Sequence, residues 1–174
     1  GECKEAVLNL ETVVQQVEKY PYGRFYLGQA HHCLKAYPQA VAEYELAMKA
    51  GCNDPLVLTR AGQAYSEKGD AAKGIELLQA ALAFDKTSGE AHYQLGMAYR
   101  RKGDKENAIE SFKQAVARQA KNGQYRFMFG QALIKNGLLP EAVEELKQAA
   151  ELEPAWAKVP FQLGRAYFQQ RNYK

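Results

Sequence analysis

Residues 89–122 read GEAHYQLGMAYRRKGDKENAIESFKQAVARQAKN and hold two amphipathic helical patterns separated by one break. Ala91, Leu95, Ala98 and Tyr99 recur at helical spacing, Gly103-Asp104 interrupts, and Ala108, Ile109, Phe112, Ala115 and Val116 resume the pattern. Glycine tolerates the left-handed conformation that ends a helix, and aspartate accepts hydrogen bonds from the orphan amides that begin the next one. The stretch therefore predicts a helix, a tight turn and a second helix.

Working outward, the same unit recurs along the chain. Gly28, Gly62, Gly96, Gly130 and Gly164 stand 34 residues apart, each followed two residues later by Ala30, Ala64, Ala98, Ala132 or Ala166. A second small position recurs at Ala6, Ala40, Gly74, Ala108 and Ala142, and a third position at Val13, Ala47, Ala81, Ala115 and Ala149. Between these two lies a bulky apolar residue: Leu10, Tyr44, Leu78, Phe112 or Leu146. Gly69-Asp70 repeats the break, while Pro38 and Pro140 take first-turn positions where a missing amide costs little. A fixed period of this size marks a stacked repeat array. Each helical glycine costs roughly 1 kcal/mol against alanine, so close approach of the two helices in a unit must offset it, and enlarging Gly96 to leucine is expected to overpack that contact.

Composition narrows the function classes. The chain has 174 residues, 47% of them hydrophobic, with 23 basic against 20 acidic side chains. An excess of three charges is too small to announce nucleic acid or an anionic membrane as partner. No run of 18 uncharged apolar residues occurs, so no transmembrane helix is expected. Three cysteines, Cys3, Cys33 and Cys52, are an odd number at unrelated spacings. They argue against a disulfide scaffold and for a soluble protein of a reducing, cytoplasmic compartment.

The 34-residue period, with Leu95-Gly96, Tyr99, Ala108, Phe112 and Ala115 in the quoted unit and Leu27-Gly28, Tyr65, Tyr167 and Pro154 elsewhere, resembles the tetratricopeptide repeat. His31 and Leu133 depart from its tyrosine, and Lys86 and Ala120 from its closing proline. The pentatricopeptide family, which would imply RNA binding, prefers a period one residue longer. The resemblance implies an all-α fold: a right-handed superhelical solenoid of antiparallel helix pairs, about ten helices in all. Residues 1–174 then form a single array, with 1–20 the second helix of a truncated repeat, 21–54, 55–88, 89–122 and 123–156 full repeats, and 157–174 a first helix. The register reads residues 2–18 as that second helix and 156–171 as the first helix of a repeat whose partner would begin near Asn172-Tyr173. The chain is thus expected to be an excerpt, with Gly1 left by a tag, and its ends are in phase for head-to-tail stacking.

Catalytic and metal constellations are scarce. Neighbours in His31-His32-Cys33 point in different directions on a helix; His31 takes the packing position of Tyr65, Tyr99 and Tyr167, and His92 that of Leu58. No metal-ligand spacing appears, and neither metal nor cofactor is expected. The four aspartates, Asp54, Asp70, Asp85 and Asp104, lie where helix capping alone would put them. Glu43, Glu45, Glu144 and Glu145 read as solvated helix faces. Ser66, Ser88 and Ser111 lie in no nucleophile elbow, and no phosphate-binding glycine loop occurs. The chain is not expected to be an enzyme.

What remains is a surface. The resemblance implies that the first helix of each repeat lines a concave groove. The stripe not used for packing within repeats gives Tyr26 and Gln29, Arg60 and Gln63, Tyr93, Gln94, Met97 and Arg101, Phe127 and Gln131, and Phe161 and Arg165 as peptide-binding residues. Aromatics, methionine, arginine and glutamine offer contact area, planar charge recognition and two-way hydrogen bonding to a peptide backbone. Gln29, Gln63 and Gln131 share one repeat position and suggest a ladder. Basic members outnumber Glu67 and Glu90, favouring a partner of acidic character. The family's carboxylate clamp for chaperone tails is not implied, because its positions hold Phe25, Gln29, Arg60, Glu90 and Gln94 here. The function expected is a protein-protein interaction scaffold holding an extended peptide. The alternatives are a targeting segment of a larger enzyme whose catalytic part lies outside these residues, and a self-assembling array.

Overall fold

The helix boundaries follow from the caps that the sequence carries. In a computed structural model that describes residues 1–16 and 20–172, ten helices occur among the described residues and no strands. They are α1 (Glu2–Gln16), α2 (Pro21–Cys33), α3 (Tyr37–Lys49), α4 (Pro55–Lys68), α5 (Ala71–Phe84), α6 (Gly89–Lys102), α7 (Lys105–Arg118), α8 (Gly123–Lys135), α9 (Leu139–Leu152) and α10 (Lys158–Asn172). The expected end of the first helix at residue 18, and Tyr173, lie outside the described residues. Asp54, Asp70, Ser88, Asp104 and Asn122 cap α4 to α8, each accepting from amides of the first turn. The capping role expected of Asp54, Asp70 and Asp104 is met, and Asp85 ends α5.

The turn inside each helix pair is one device used four times. After α4, α6 and α8, Gly69, Gly103 and Gly137 adopt φ of 110°, 85° and 75°. The amide one residue further on bonds back to the carbonyls of Tyr65, Tyr99 and Leu133. Lys35 takes the same place after α2 with φ 57°, the one non-glycine residue in that conformation among the described residues. Its neighbour Ala36 likewise donates to the His31 carbonyl at 2.9 Å.

The chain forms two compact units, Gly1–Lys86 with α1 to α5 and Thr87–Lys174 with α6 to α10. In the first, α2 packs against α3 and α4 against α5, while α1 covers α2 and α3 covers α4. Tyr44, Phe25, Val57 and Leu78 are fully buried there. In the second, α6 packs against α7, α8 against α9 and α9 against α10, around Phe112, Leu146 and Val159. The period glycines sit where the paired helices cross. A Cβ on Gly28, Gly62, Gly96 or Gly130 would lie 2.7 Å from the side chain of Tyr44, Leu78, Phe112 or Leu146 respectively. Close helix approach is thus the reason that glycine is needed at these four positions.

Two expectations are corrected here. Cys3 and Cys33 form a disulfide across α1 and α2, with Cα atoms 6.2 Å apart. Spacing along the chain did not reveal the pair because the antiparallel α1–α2 hairpin brings the start of one helix to the end of the other. Cys52 is free and buried. Three of the four glutamates read as solvated are engaged. Arg24 donates to Glu43 at 3.0 Å, Arg126 donates to Glu145 at 2.6 Å, and the Tyr65 hydroxyl donates to Glu45. Only Glu144 keeps to the exposed face, beside Lys147 at 3.0 Å.

Candidate functional site: the first helices of the repeats

Helices α2 and α4 carry the candidate residues of the first unit. Their contact is polar as well as apolar: His32 Nε2 on α2 stands 2.7 Å from Glu67 Oε2 on α4. A chain of hydrogen bonds continues along α4, where Arg60 donates to Gln63 at 3.2 Å and Gln63 donates to Glu67 at 3.4 Å. The amide of Gln63 is therefore engaged by its own helix. Beneath this network the fully buried Tyr44 hydroxyl meets no hydrogen-bond partner among the described residues. Burial, reinforced by the Glu67 charge and opposed by Arg60, pushes its pKa well above the usual phenol range. Tyr26 stands out from α2 at 49% exposure, and Gln29, Arg60 and Gln63 are half-buried.

In the second unit α6 and α8 are joined through aromatic rings. Tyr93 and Tyr125 stack with centroids 4.7 Å apart and planes 18° from parallel. Gln124 donates to the Tyr93 hydroxyl at 2.9 Å, and Glu90 accepts from Tyr125 at 2.9 Å and from Gln94 at 2.8 Å. Burial raises the Tyr93 pKa, with the Gln124 bond acting in the opposite sense. Lys158 lies over the rings of Trp156 and Phe127, 3.8 and 5.0 Å from their centroids.

The predicted stripe divides by burial. Tyr93, Gln94 and Phe127 are buried in packing between helices, Met97 and Gln131 are half-buried, and Arg101, Phe161 and Arg165 are exposed. Sequence reasoning did not find the couplings between successive first helices. His32 with Glu67 and Glu90 with Tyr125 are both pairs 35 residues apart, so one period plus one residue was the available signal. It also passed over a crevice bordered by Arg100, Lys105 and Lys135 with Gly103, Ala108, Ala132 and Asn136. Burial, and then the neighbouring Arg101, hold the Arg100 pKa below its usual value. Among the described residues, no three His, Cys, Asp or Glu side chains gather as metal ligands would.

A family model described as tetratricopeptide repeat matches residues 57–88 and 89–122, and a second model of the same description matches 127–174. The chain belongs to the tetratricopeptide repeat family. Several solved structures share this tetratricopeptide fold. MamA of Desulfovibrio magneticus RS-1, from residue 41 to its end, is 23% identical over 90% of this chain and 89% of that one, with a TM-score of 0.80. MamA of AMB-1 is 27% identical over 86% and 82%, at 0.72. YrrB, described as a TPR protein with an unusual peptide-binding site, is 20% identical over 94% and 84%, at 0.73. No curated protein sequence matches the chain. No helix among the described residues of this tetratricopeptide protein is long and apolar enough to cross a membrane.

Proposed function

We propose that this tetratricopeptide protein is an interaction scaffold whose first-helix faces hold an extended peptide segment of acidic character. The carrying observation is the chemistry left over after packing. Arg100, Lys105 and Lys135 border one crevice with no acidic residue among its lining, and Arg165 stands exposed on α10. Glu90 is already held by Tyr125 and Gln94, and Glu67 by His32 and Gln63. In the second unit the surface thus meets a ligand with unbalanced positive charge and the half-buried amide of Gln131, and in the first unit with the exposed ring of Tyr26 and the half-buried amide of Gln29. The peptide-binding site that the description of YrrB records is a precedent for such use of the fold. Within each unit successive first helices stand side by side, α2 with α4 and α6 with α8, which suits a ligand running across repeats.

The test is binding of fluorescent extended peptides to the whole chain. Asp- and Glu-rich sequences are expected to bind, their Lys-rich counterparts are not, and the affinity should fall as salt is raised. Replacing Arg100, Lys105 and Lys135 together with alanine is expected to weaken the acidic peptide at least about tenfold, with helical content unchanged. Equal binding of acidic and basic peptides would overturn the charge assignment. Undiminished binding to the triple variant would move the ligand to another surface.

A further inference from the structure

We propose that α1 and α10 are the two halves of one interface, through which copies of this chain associate head to tail. The inference comes from positions that are buried in every inner helix pair and more exposed in these two helices. On the first helices, Phe25, Thr59, Tyr93 and Phe127 share one repeat position and are 1% to 7% exposed, whereas Phe161, at the same position of α10, is 65% exposed. Gly164 is the one glycine of the 34-residue series with nothing within 4 Å of where its Cβ would stand. Phe168, one turn further on, is 70% exposed.

Helix α1 shows the converse. Tyr44, Leu78, Phe112 and Leu146, the residues that cover the four inner glycines, are fully buried, and so are Ala47, Ala115 and Ala149 of the third repeat position. Their counterparts on α1 are Leu10, which is half-buried, and Val13, which is 38% exposed. The apolar face that each α3-type helix turns to its own first helix is present on α1 and is only partly covered there.

The occupant that fits α10 is therefore α1 of a second copy, with Leu10 set on Gly164 as Leu146 is set on Gly130. Small residues on one side and branched apolar residues on the other would reproduce a packing that this chain already uses four times. Charge agrees with the pairing. Helix α10 carries Lys158, Arg165 and Arg171 and no acidic residue, whereas α1 carries Glu2, Glu5 and Glu11 against Lys4. The contact is heterologous, because each copy offers one face and receives on another, so it propagates beyond two copies.

Sedimentation velocity on the 174-residue chain across a concentration series reads the result. Species heavier than the 19.5 kDa monomer are expected to grow with concentration. Gly164→Leu, whose new side chain has open space in the single copy, is expected to remain monomeric at concentrations at least about tenfold above those where the parent associates. Val13→Glu should do the same from the other face, and circular dichroism confirms that both are folded. An equimolar mixture of the two variants keeps one intact α10 and one intact α1, so it should form a pair of chains and nothing larger. A parent that is monomeric throughout overturns the proposal. So does association that survives Gly164→Leu, or a mixture that stays monomeric.

Discussion

Gly96 shows how a single hydrogen in place of a methyl group sets the spacing of a helix pair. Its missing Cβ would meet Phe112 Cδ1 at 2.7 Å, so Gly96→Leu must push α7 away or force Phe112 from its rotamer. The expected cost is about 1–3 kcal/mol, read as a melting temperature several degrees lower, and an unchanged melt would show that the close approach is not needed. Tyr44 makes a different point. Its ring packs against Gly28, while its hydroxyl is buried without a hydrogen-bond partner among the described residues. A phenol whose folded pKa is raised contributes stability that is complete below the unfolded value of about 10 and is lost as pH climbs above it. Tyr65, pushed to about 12 by burial and by its bond to Glu45, acts in the same sense. Stability is therefore expected to hold flat to about pH 9 and to decline above about pH 10. Tyr44→Phe should lose little at neutral pH and decline less steeply, as alkaline titrations of denaturant midpoints will reveal.

At the scale of the element, the turns are better conserved by geometry than by residue type. Lys35 adopts the conformation that glycine supplies at positions 69, 103 and 137, and it makes the same backward hydrogen bonds. A side chain in that conformation costs roughly 1–2 kcal/mol, part of which the flexibility of an unfolded glycine takes back. Lys35→Gly is thus expected to stabilise the first unit by about 0.5–1 kcal/mol, measured as a higher denaturant midpoint at constant slope. A lower midpoint would mean that the lysine side chain makes a contact worth more than the strain. The helices themselves were legible, because apolar residues at helical spacing alternate with Gly-Asp and Pro breaks that have only one local use. The caps were legible for the same reason: Asp54, Asp70 and Asp104 sit directly before first turns. What the elements bury was less so. Tyr93 and Phe127 read as a ligand-facing stripe, yet they lie under the next helix, because a first helix in this fold packs on two sides.

Across the whole molecule, what a linear reading misses is contact between residues whose separation is no multiple of the period. His32 with Glu67, Tyr65 with Glu45 and Cys3 with Cys33 arise only when one helix pair is laid on the next. Of these, the sulfur bridge has the widest reach, since α1 places only Val14 fully in the interior and is tied to α2 by that link as well as by packing. Among the described residues of α10, Val159 and Ala166 are the fully buried side chains, and the helix carries no cysteine for such a bond. Unravelling should then have a direction. Under non-reducing conditions a protease is expected to trim the carboxyl-terminal helix first and leave the amino-terminal one intact. With dithiothreitol present both should be trimmed at comparable rates, and mass spectrometry of the fragments would reveal the change. A covalent clasp on one flank and none on the other turns an otherwise repetitive polymer into a molecule with a durable head and a perishable tail.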